Sequence, residues 1–127
     1  MIYGAINSPL SQPRNLIGGH ILSAIVGVMS FKLFGEYVWF CPAFAVATSI
    51  LIMQLTLTLH PPGGATALIA VIGSEEIHNL GFIYVFIPIA TGAFILFVIA
   101  FLINNISKDR EYPIGYKKFN KKWFTDN

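Results

Sequence analysis

The feature that most limits the fold is a helix-breaking sequence, HPPGG at residues 60–64, inside the apolar stretch 38–73. Proline removes a backbone donor and glycine weakens a helix, so no helix is expected to run unbroken through these residues. An unbroken helix over the whole stretch would be about 54 Å long, whereas a bilayer core is only about 30 Å thick. The residues after the break, 65–73, supply only about 13 Å of helix, and this half-helix either re-enters a membrane or continues a discontinuous crossing.

The composition indicates which solvent surrounds these apolar residues. The 127 residues are 55% hydrophobic and only 11% charged, with a mean hydropathy of +0.68, whereas soluble domains are about a quarter charged. A soluble chain of this length could not bury so much apolar surface in its own core. We therefore expect an all-α, polytopic helical membrane protein that contacts membrane lipids.

Three apolar segments are predicted to cross the membrane: residues 15–34, the interrupted stretch 38–73, and residues 82–103. Residues 1–14 are rich in Pro, Ser, Asn and Gln and are predicted to be a loop, with Asn15 as the N-cap of the first helix. Residues 74–80 are predicted to be a polar loop. No signal peptide is expected, because the N-terminus lacks a basic region followed by an apolar stretch.

The basic residues determine the expected orientation. Six of the eight Lys and Arg residues follow Ser107, and such residues near a membrane exit favour the cytoplasmic side. We expect a transmembrane domain over residues 1–107 and a basic cytoplasmic tail over 108–127, in the inner membrane of a bacterium. The loop 74–80 and residues 1–14 then lie on the face opposite the tail, and the turn at Gly35 lies on the tail side. The tail lacks the pattern of a nucleic-acid reader, so no nucleic-acid partner is expected.

Two helix starts are candidate anion sites, because a helix N-terminus exposes unpaired N–H groups and carries partial positive charge. Arginine offers a fork of donors that matches two oxygens at once, and histidine can donate a hydrogen bond or carry charge. We expect the two starts to converge on one mid-bilayer pocket that binds nitrite, nitrate or chloride. The predicted binding residues are Arg14, Asn15, His20, His60, Gly63, Gly64 and Thr66.

Other interpretations of these residues stay open. Gly18 and Gly19 pack helices at least as readily as they admit a ligand. The side chains of His20 and His60 can simply hydrogen-bond between helices, and Arg14 can be an ordinary interfacial arginine.

Metal binding and catalysis are not expected. His20, His60 and Glu75 lack a local ligand spacing, and the single Cys41 is expected to be a small buried hydrophobic residue. No acidic residue has an obvious place beside a histidine to orient a nucleophile, and no phosphate-binding glycine signature occurs. No enzyme activity, metal or cofactor is therefore predicted.

Two stretches, SPLSQPRNLIGGHILSAIVGV at residues 8–28 and LHPPGGATALIAVIG at residues 59–73, resemble the HPP family of integral membrane proteins. The motif residues with a structural role are Ser8, Pro9, Pro13, Gly18, Gly19, Pro61 and Pro62. The resemblance implies about four spans, and plant chloroplast and cyanobacterial members are associated with nitrite transport. Family members usually have hydrophobic helices before the Ser-Pro-Leu motif, so the chain is expected to be a late start, a fragment or a reduced member.

Two functions follow from these observations. The first is a permease or channel for a small inorganic anion, with nitrite favoured by the resemblance alone. The alternative is a non-transporting membrane scaffold or assembly subunit, in which the glycines are packing surfaces. A cation pathway is disfavoured because intramembrane carboxylates are scarce. A homo-oligomer or other membrane subunits are expected to supply the helices that the chain lacks.

Overall fold

The computed structural model describes residues 1–107 and 109–116, and all regular structure within these ranges is helical. The prediction of an all-α fold is confirmed. Five helices follow one another: α1 (Pro13–Phe34), α2 (Phe40–Leu55), α3 (Pro62–Ile72), α4 (Glu75–Leu80) and α5 (Thr91–Ile106). A 3-10 turn, Pro9–Ser11, precedes α1. The predicted basic tail lies outside the described residues except for its first part, 109–116.

Helices α1, α2 and α3 pack against one another in a three-helix core. Small residues on α1 make this packing close, because Gly19, Ser23 and Gly27 recur every four residues and so share one face. A methyl group placed on Gly27 would lie 2.7 Å from the carbonyl oxygen of Ala67 in α3. Cys41 on α2 is buried as predicted, and its thiol donates to the carbonyl oxygen of Ser30 at 3.3 Å.

The direction of the chain reverses between α2 and α3, and we call the connecting residues 56–61 the reversal. The side chain of Asn15, at the start of α1, donates to the carbonyl oxygen of Leu59 at 2.9 Å. The ring of Phe31, near the end of α1, stacks on His78, with centroids 3.7 Å apart. The start of α3 therefore lies beside the start of α1, and the residues after α3 lie beside the end of α1. The sequence left two paths open for the half-helix, re-entry or a discontinuous crossing, and α3 takes the path that turns back.

This reversal corrects the predicted placement of the connections. Residues 74–80 were expected on the face opposite the turn at Gly35, whereas Phe31, Gly35, Gly73 and His78 line one shared cleft. The prediction was wrong because it treated α2 and α3 as two halves of one crossing. Residues 74–80 are also not a loop but form α4, with two glutamates in its first turn, where negative charge is favourable.

The two ends of the described chain meet at the end of the bundle where α1 begins. The side chain of Asn104 donates to the carbonyl oxygen of Ile2 at 2.9 Å, and the Tyr112 hydroxyl donates to the carbonyl oxygen of Ser11 at 2.7 Å. We call this end, which holds residues 8–15 and 56–62, the site end. The described chain thus begins and ends on the same side of the bundle, which corrects the prediction that residues 1–14 lie on the face opposite the tail.

The start of α1 differs from the prediction. The helix begins at Pro13 with Gln12 in the cap position, not at Asn15. Proline is well suited to the first helical position, because its fixed φ matches the helix and its missing N–H would have no intrahelical acceptor there. The side chain of Asn15 is free of the capping role and instead reaches Leu59.

Within residues 1–107 and 109–116, two segments are long and apolar enough to cross a membrane: Pro13–Phe34 and Val85–Ile106. The second contains a kink, because Ile87, which precedes Pro88, has an extended conformation with φ −128° and ψ 112°. Helix α3 has 11 residues and is therefore only about 16 Å long, which confirms the predicted half-helix. Most large apolar side chains of α5 are exposed in the isolated chain, as expected for a surface that meets lipid or another helix.

Candidate functional site

Two histidines from distant parts of the sequence meet at the site end. His20 lies about two turns into α1, and His60 directly precedes the prolines that begin α3. Their ring centroids are 5.1 Å apart, with the ring planes at 59°. The reversal between α2 and α3 brings them together, because it folds residues 56–61 back onto the first turns of α1. The structure thus places two of the predicted site residues next to each other.

Each ring is held through its Nδ1 atom. Nδ1 of His60 lies 2.8 Å from the carbonyl oxygen of Leu10, and Nδ1 of His20 lies 2.7 Å from the Thr66 hydroxyl. A carbonyl oxygen only accepts, so Nδ1 of His60 carries the proton in this contact. Nε2 of a neutral His60 then presents a lone pair, and Nε2 of a charged His60 presents an N–H donor. Within residues 1–107 and 109–116, neither Nε2 atom has a hydrogen-bond partner.

Both histidines line a cavity of about 270 Å³. The rest of its wall comes from several parts of the chain and is mainly apolar: Met1, Ile2, Tyr3, Leu16, Pro62 and Leu96. Ligand sites commonly combine an apolar wall with a few polar groups that determine orientation. The ionisable side chains that line this cavity are the two imidazoles and the Tyr3 phenol. The imidazoles are therefore its candidate binding groups.

Arg14 and Asn15 have a different role in this structure. The Arg14 side chain is exposed, and its Nη2 donates to the carbonyl oxygen of Thr56 at 3.2 Å. Together with the bond from Asn15 to Leu59, this contact attaches the reversal to the first turn of α1. Arg14 does not line the cavity that contains the histidines. The structure thus brings His20, His60 and Thr66 together, whereas Arg14 contacts Thr56 instead.

The glycine pair at the start of α3 is packed. The N–H groups of Gly63 and Gly64 donate to the carbonyl oxygens of His60 and Pro61, at 2.8 and 3.0 Å. A methyl group on Gly63 would lie 2.8 Å from Oγ of Ser23. The expectation that this backbone lies open to a ligand is therefore not met: both N–H groups already have acceptors, and α1 covers Gly63.

The glycine pair of α1 is packed in the same way. A methyl group on Gly19 would lie 2.7 Å from Cβ of His60, and one on Gly18 would lie 3.0 Å from a methyl carbon of Thr58. These contacts correspond to the packing interpretation that the sequence left open. They let the reversal approach α1 closely enough for His60 to reach His20.

The Ser-Pro-Leu motif builds the support for His60. Ser8 caps the turn Pro9–Ser11, because its hydroxyl accepts from the N–H of Leu10 at 3.3 Å. Pro13 then begins α1. The turn directs the Leu10 carbonyl oxygen at His60. This hydrogen bond is one of three that join the two motifs of the sequence, together with Asn15 to Leu59 and His20 to Thr66.

Two supporting tyrosines were missed at the level of sequence. The Tyr84 hydroxyl donates to the carbonyl oxygen of Thr66 at 3.0 Å, and the Tyr112 hydroxyl donates to that of Ser11. Both side chains are fully buried. The available signal was their chemistry, because a buried tyrosine hydroxyl usually has a hydrogen-bond partner. The identity of that partner depends on the tertiary fold.

Comparison with known proteins agrees with a membrane protein. The family described as "HPP, transmembrane region" matches residues 1–113. Two proteins of Dictyostelium discoideum, both named transmembrane proteins, are 49% and 42% identical over 117 residues, which is 90% of this chain. The match covers 41% of the first relative and 37% of the second, so the chain spans about two fifths of their length. No solved structure matches the chain.

Proposed function

The chain belongs to the HPP family of transmembrane proteins, and from this premise we propose that it moves a small inorganic anion, with nitrite as the favoured substrate. One observation carries the proposal: His20 and His60 meet in a cavity beside the start of α3, each with its Nε2 atom unpartnered within the described ranges. The choice of nitrite rests on the resemblance to family members associated with nitrite transport.

The chemistry requires a protonated imidazole. When His60 takes up a proton at Nε2, it becomes a cation with an N–H donor for an anion oxygen, while Nδ1 keeps its bond to Leu10. Release of the proton removes the donor and the charge together. Anion and proton therefore travel as a pair, which reduces the charge that crosses the apolar region.

Arg14 supplies a fixed positive charge at the same end of the bundle as the cavity. Its side chain is exposed at the site end and is bonded to Thr56 in the reversal that carries His60. Exposed charge of this kind raises the local concentration of anions and their rate of arrival, and the effect weakens with salt. Arg14 thus attracts the anion, and the histidines bind it.

A flux assay in liposomes tests the proposal. The wild-type chain should take up nitrite faster when the acidic side is the side of entry, and His20→Ala or His60→Ala should reduce uptake at least about 10-fold, as expected for loss of a positioned acid or base. His60→Gln is a second variant, because its amide can still donate to Leu10 but cannot take up a proton. It should fold and fail to transport.

His78→Ala is the matched control for this assay. His78 lies at the other end of the bundle, where it stacks on Phe31 and contacts the carbonyl oxygen of Val71 at 3.1 Å. Its removal should leave uptake near the wild-type rate. Unchanged uptake in both His20→Ala and His60→Ala would refute the site.

A non-transporting membrane subunit is the second candidate. It is favoured by the packed glycines and by the exposed apolar face of α5. If this alternative is correct, the purified chain moves no nitrite in liposomes and copurifies with another membrane subunit. Uptake by the chain alone would exclude it.

We propose that the site end faces the cytoplasm, because Arg14, Arg110 and the predicted basic tail follow or flank the membrane segments there. An Asp109→Cys variant tests this orientation, with Cys41 replaced by alanine to remove the only native thiol. An impermeant thiol reagent should label it only after the membrane is opened; labelling of intact cells would contradict the proposal. The predicted bacterial membrane gains no support from relatives that come from Dictyostelium discoideum.

A further inference from the structure

We propose that His20 and His60 together form a binding site for a divalent transition metal ion of the zinc class. The proposal concerns the neutral histidine pair and does not depend on anion transport. It rests on three features of the pair: the separation of the rings, the contacts that hold them, and their accessibility from the cavity.

The separation of the rings fits a shared metal ion. Zinc binds imidazole nitrogen at about 2.1 Å with tetrahedral angles, and this geometry places the centroids of two zinc-bound imidazoles roughly 5 Å apart. The centroids of His20 and His60 are 5.1 Å apart. The separation thus permits a shared ion, and packed aromatic rings lie in the same range, about 4.5–7 Å, so the contacts and the accessibility of the rings carry the rest of the proposal.

The contacts of the Nδ1 atoms orient both rings for metal binding. Histidines that bind metals usually engage the other ring nitrogen with a carbonyl, carboxylate or water, which determines the tautomer and the ring orientation. His60 has such a contact with the carbonyl oxygen of Leu10, and His20 has one with the Thr66 hydroxyl. In both rings Nε2 is the nitrogen that is left to bind.

The two Nε2 atoms are also accessible. Among the described residues, Ser11 Oγ is the side-chain polar atom that is fully buried and has no hydrogen-bond partner. The Nε2 atoms of His20 and His60 also have no partner there, so they are not fully buried. Both rings line the cavity of about 270 Å³, which is large enough for an ion and its remaining water ligands.

The rest of the coordination shell comes from small ligands. The described residues contain no group of three or more His, Cys, Asp or Glu side chains that could hold a metal. A zinc ion at this pair would therefore keep open positions for water or a small anion, unlike a closed structural zinc site. Metal and proton exclude each other here, because both use the Nε2 lone pairs.

Zinc binding to the purified full chain tests the proposal. Zn²⁺ is titrated against the chain in detergent near neutral pH, and bound metal is measured by equilibrium dialysis. We expect one Zn²⁺ per chain. His20→Ala and His60→Ala should each weaken binding at least about 10-fold. His78→Ala, which removes the remaining histidine of the chain, should bind like the wild type.

A second measurement guards against variants that fail to fold. Zn²⁺ should raise the melting temperature of the wild type and of His78→Ala, because a ligand that binds only the folded chain stabilises it. Equal binding by a His20→Ala/His60→Ala double variant, or no Zn²⁺-dependent stabilisation of the wild type, would overturn the proposal. Neither measurement involves flux, so failure of the zinc site is distinguishable from failure of the transport proposal.

Discussion

At the scale of single residues, the glycines of α1 and α3 determine how closely the helices approach. Gly27 lies where α1 crosses α3, and a methyl group there would meet the backbone oxygen of Ala67 and the Cβ of Ala70, each at 2.7 Å. Backbone atoms cannot rotate away as a side chain can. The two helices would therefore have to separate, and the packing around them would be lost.

We expect Gly27→Ala to lower the free energy of unfolding by about 1–3 kcal/mol, the usual cost of overpacking a core. Gly92→Ala is the matched control, because a methyl group on Gly92 in α5 would meet nothing within 4 Å. It should be neutral or stabilising by up to about 1 kcal/mol, since alanine favours a helix over glycine. Denaturation in detergent measures both, and equal losses in the two variants would contradict the packing argument.

At the scale of elements, the segment after α5 holds the N-terminal segment against the bundle. Asn105 donates to the carbonyl oxygen of Tyr112, and the N–H of Ile114 donates to the Gln12 side chain at 3.0 Å. The Tyr112 hydroxyl donates to Ser11, next to Leu10, whose carbonyl oxygen contacts His60. The support of the site therefore extends from α5 through residues 8–12 to His60.

Tyr112→Phe should lower the free energy of unfolding by about 1–2 kcal/mol, because it leaves the buried Ser11 carbonyl oxygen without this donor. Tyr37→Phe is the control, since the Tyr37 side chain is exposed. It should have almost no effect. Denaturation of both variants in the same detergent checks the difference, and a loss in Tyr37→Phe as large as in Tyr112→Phe would contradict it.

The same tyrosine predicts a response to alkaline pH. Burial raises the pKa of Tyr112, with a smaller contribution from Tyr3, whereas an unfolded tyrosine ionises near pH 10. The folded chain thus binds the phenolic proton more tightly than the unfolded chain. Its contribution to stability is complete below about pH 10 and is lost as the pH rises from there through the folded pKa. A pH series of unfolding should show a steeper alkaline loss in the wild type than in Tyr112→Phe; equal slopes would contradict this.

At the scale of the whole molecule, the reversal between α2 and α3 determines the topology. It places α4 beside the end of α1 and returns α5 to the site end, so both ends of the described chain meet there. The loops at Gly35 and around α4 then share one face. A discontinuous crossing would instead put them on opposite faces.

Thiol labelling distinguishes the two topologies. Glu36→Cys and Glu75→Cys, each without Cys41, replace exposed residues in the turn after α1 and at the start of α4. Both should react with an impermeant reagent from the same side of the membrane. Reaction from opposite sides would contradict the reversal.

The sequence by itself determined the class of protein, the helical segments and the half-helix. These properties are local, because the apolar stretches, the Pro61-Pro62 break and the proline that begins α1 each influence only the residues near them in the sequence. The same locality explains why the short helix α4 and the cap at Gln12 were missed, because the competing local signals there are weak.

Only the tertiary structure decided the direction of α3 and the meeting of His20 with His60. These depend on which helix faces close together, and that is a property of packing between residues about forty positions apart. Packing also decided that Gly63 is covered by α1, that Arg14 contacts Thr56, and that a carbonyl oxygen at Leu10 sets the tautomer of His60. No local pattern encodes such contacts, because each needs two elements that the sequence describes separately.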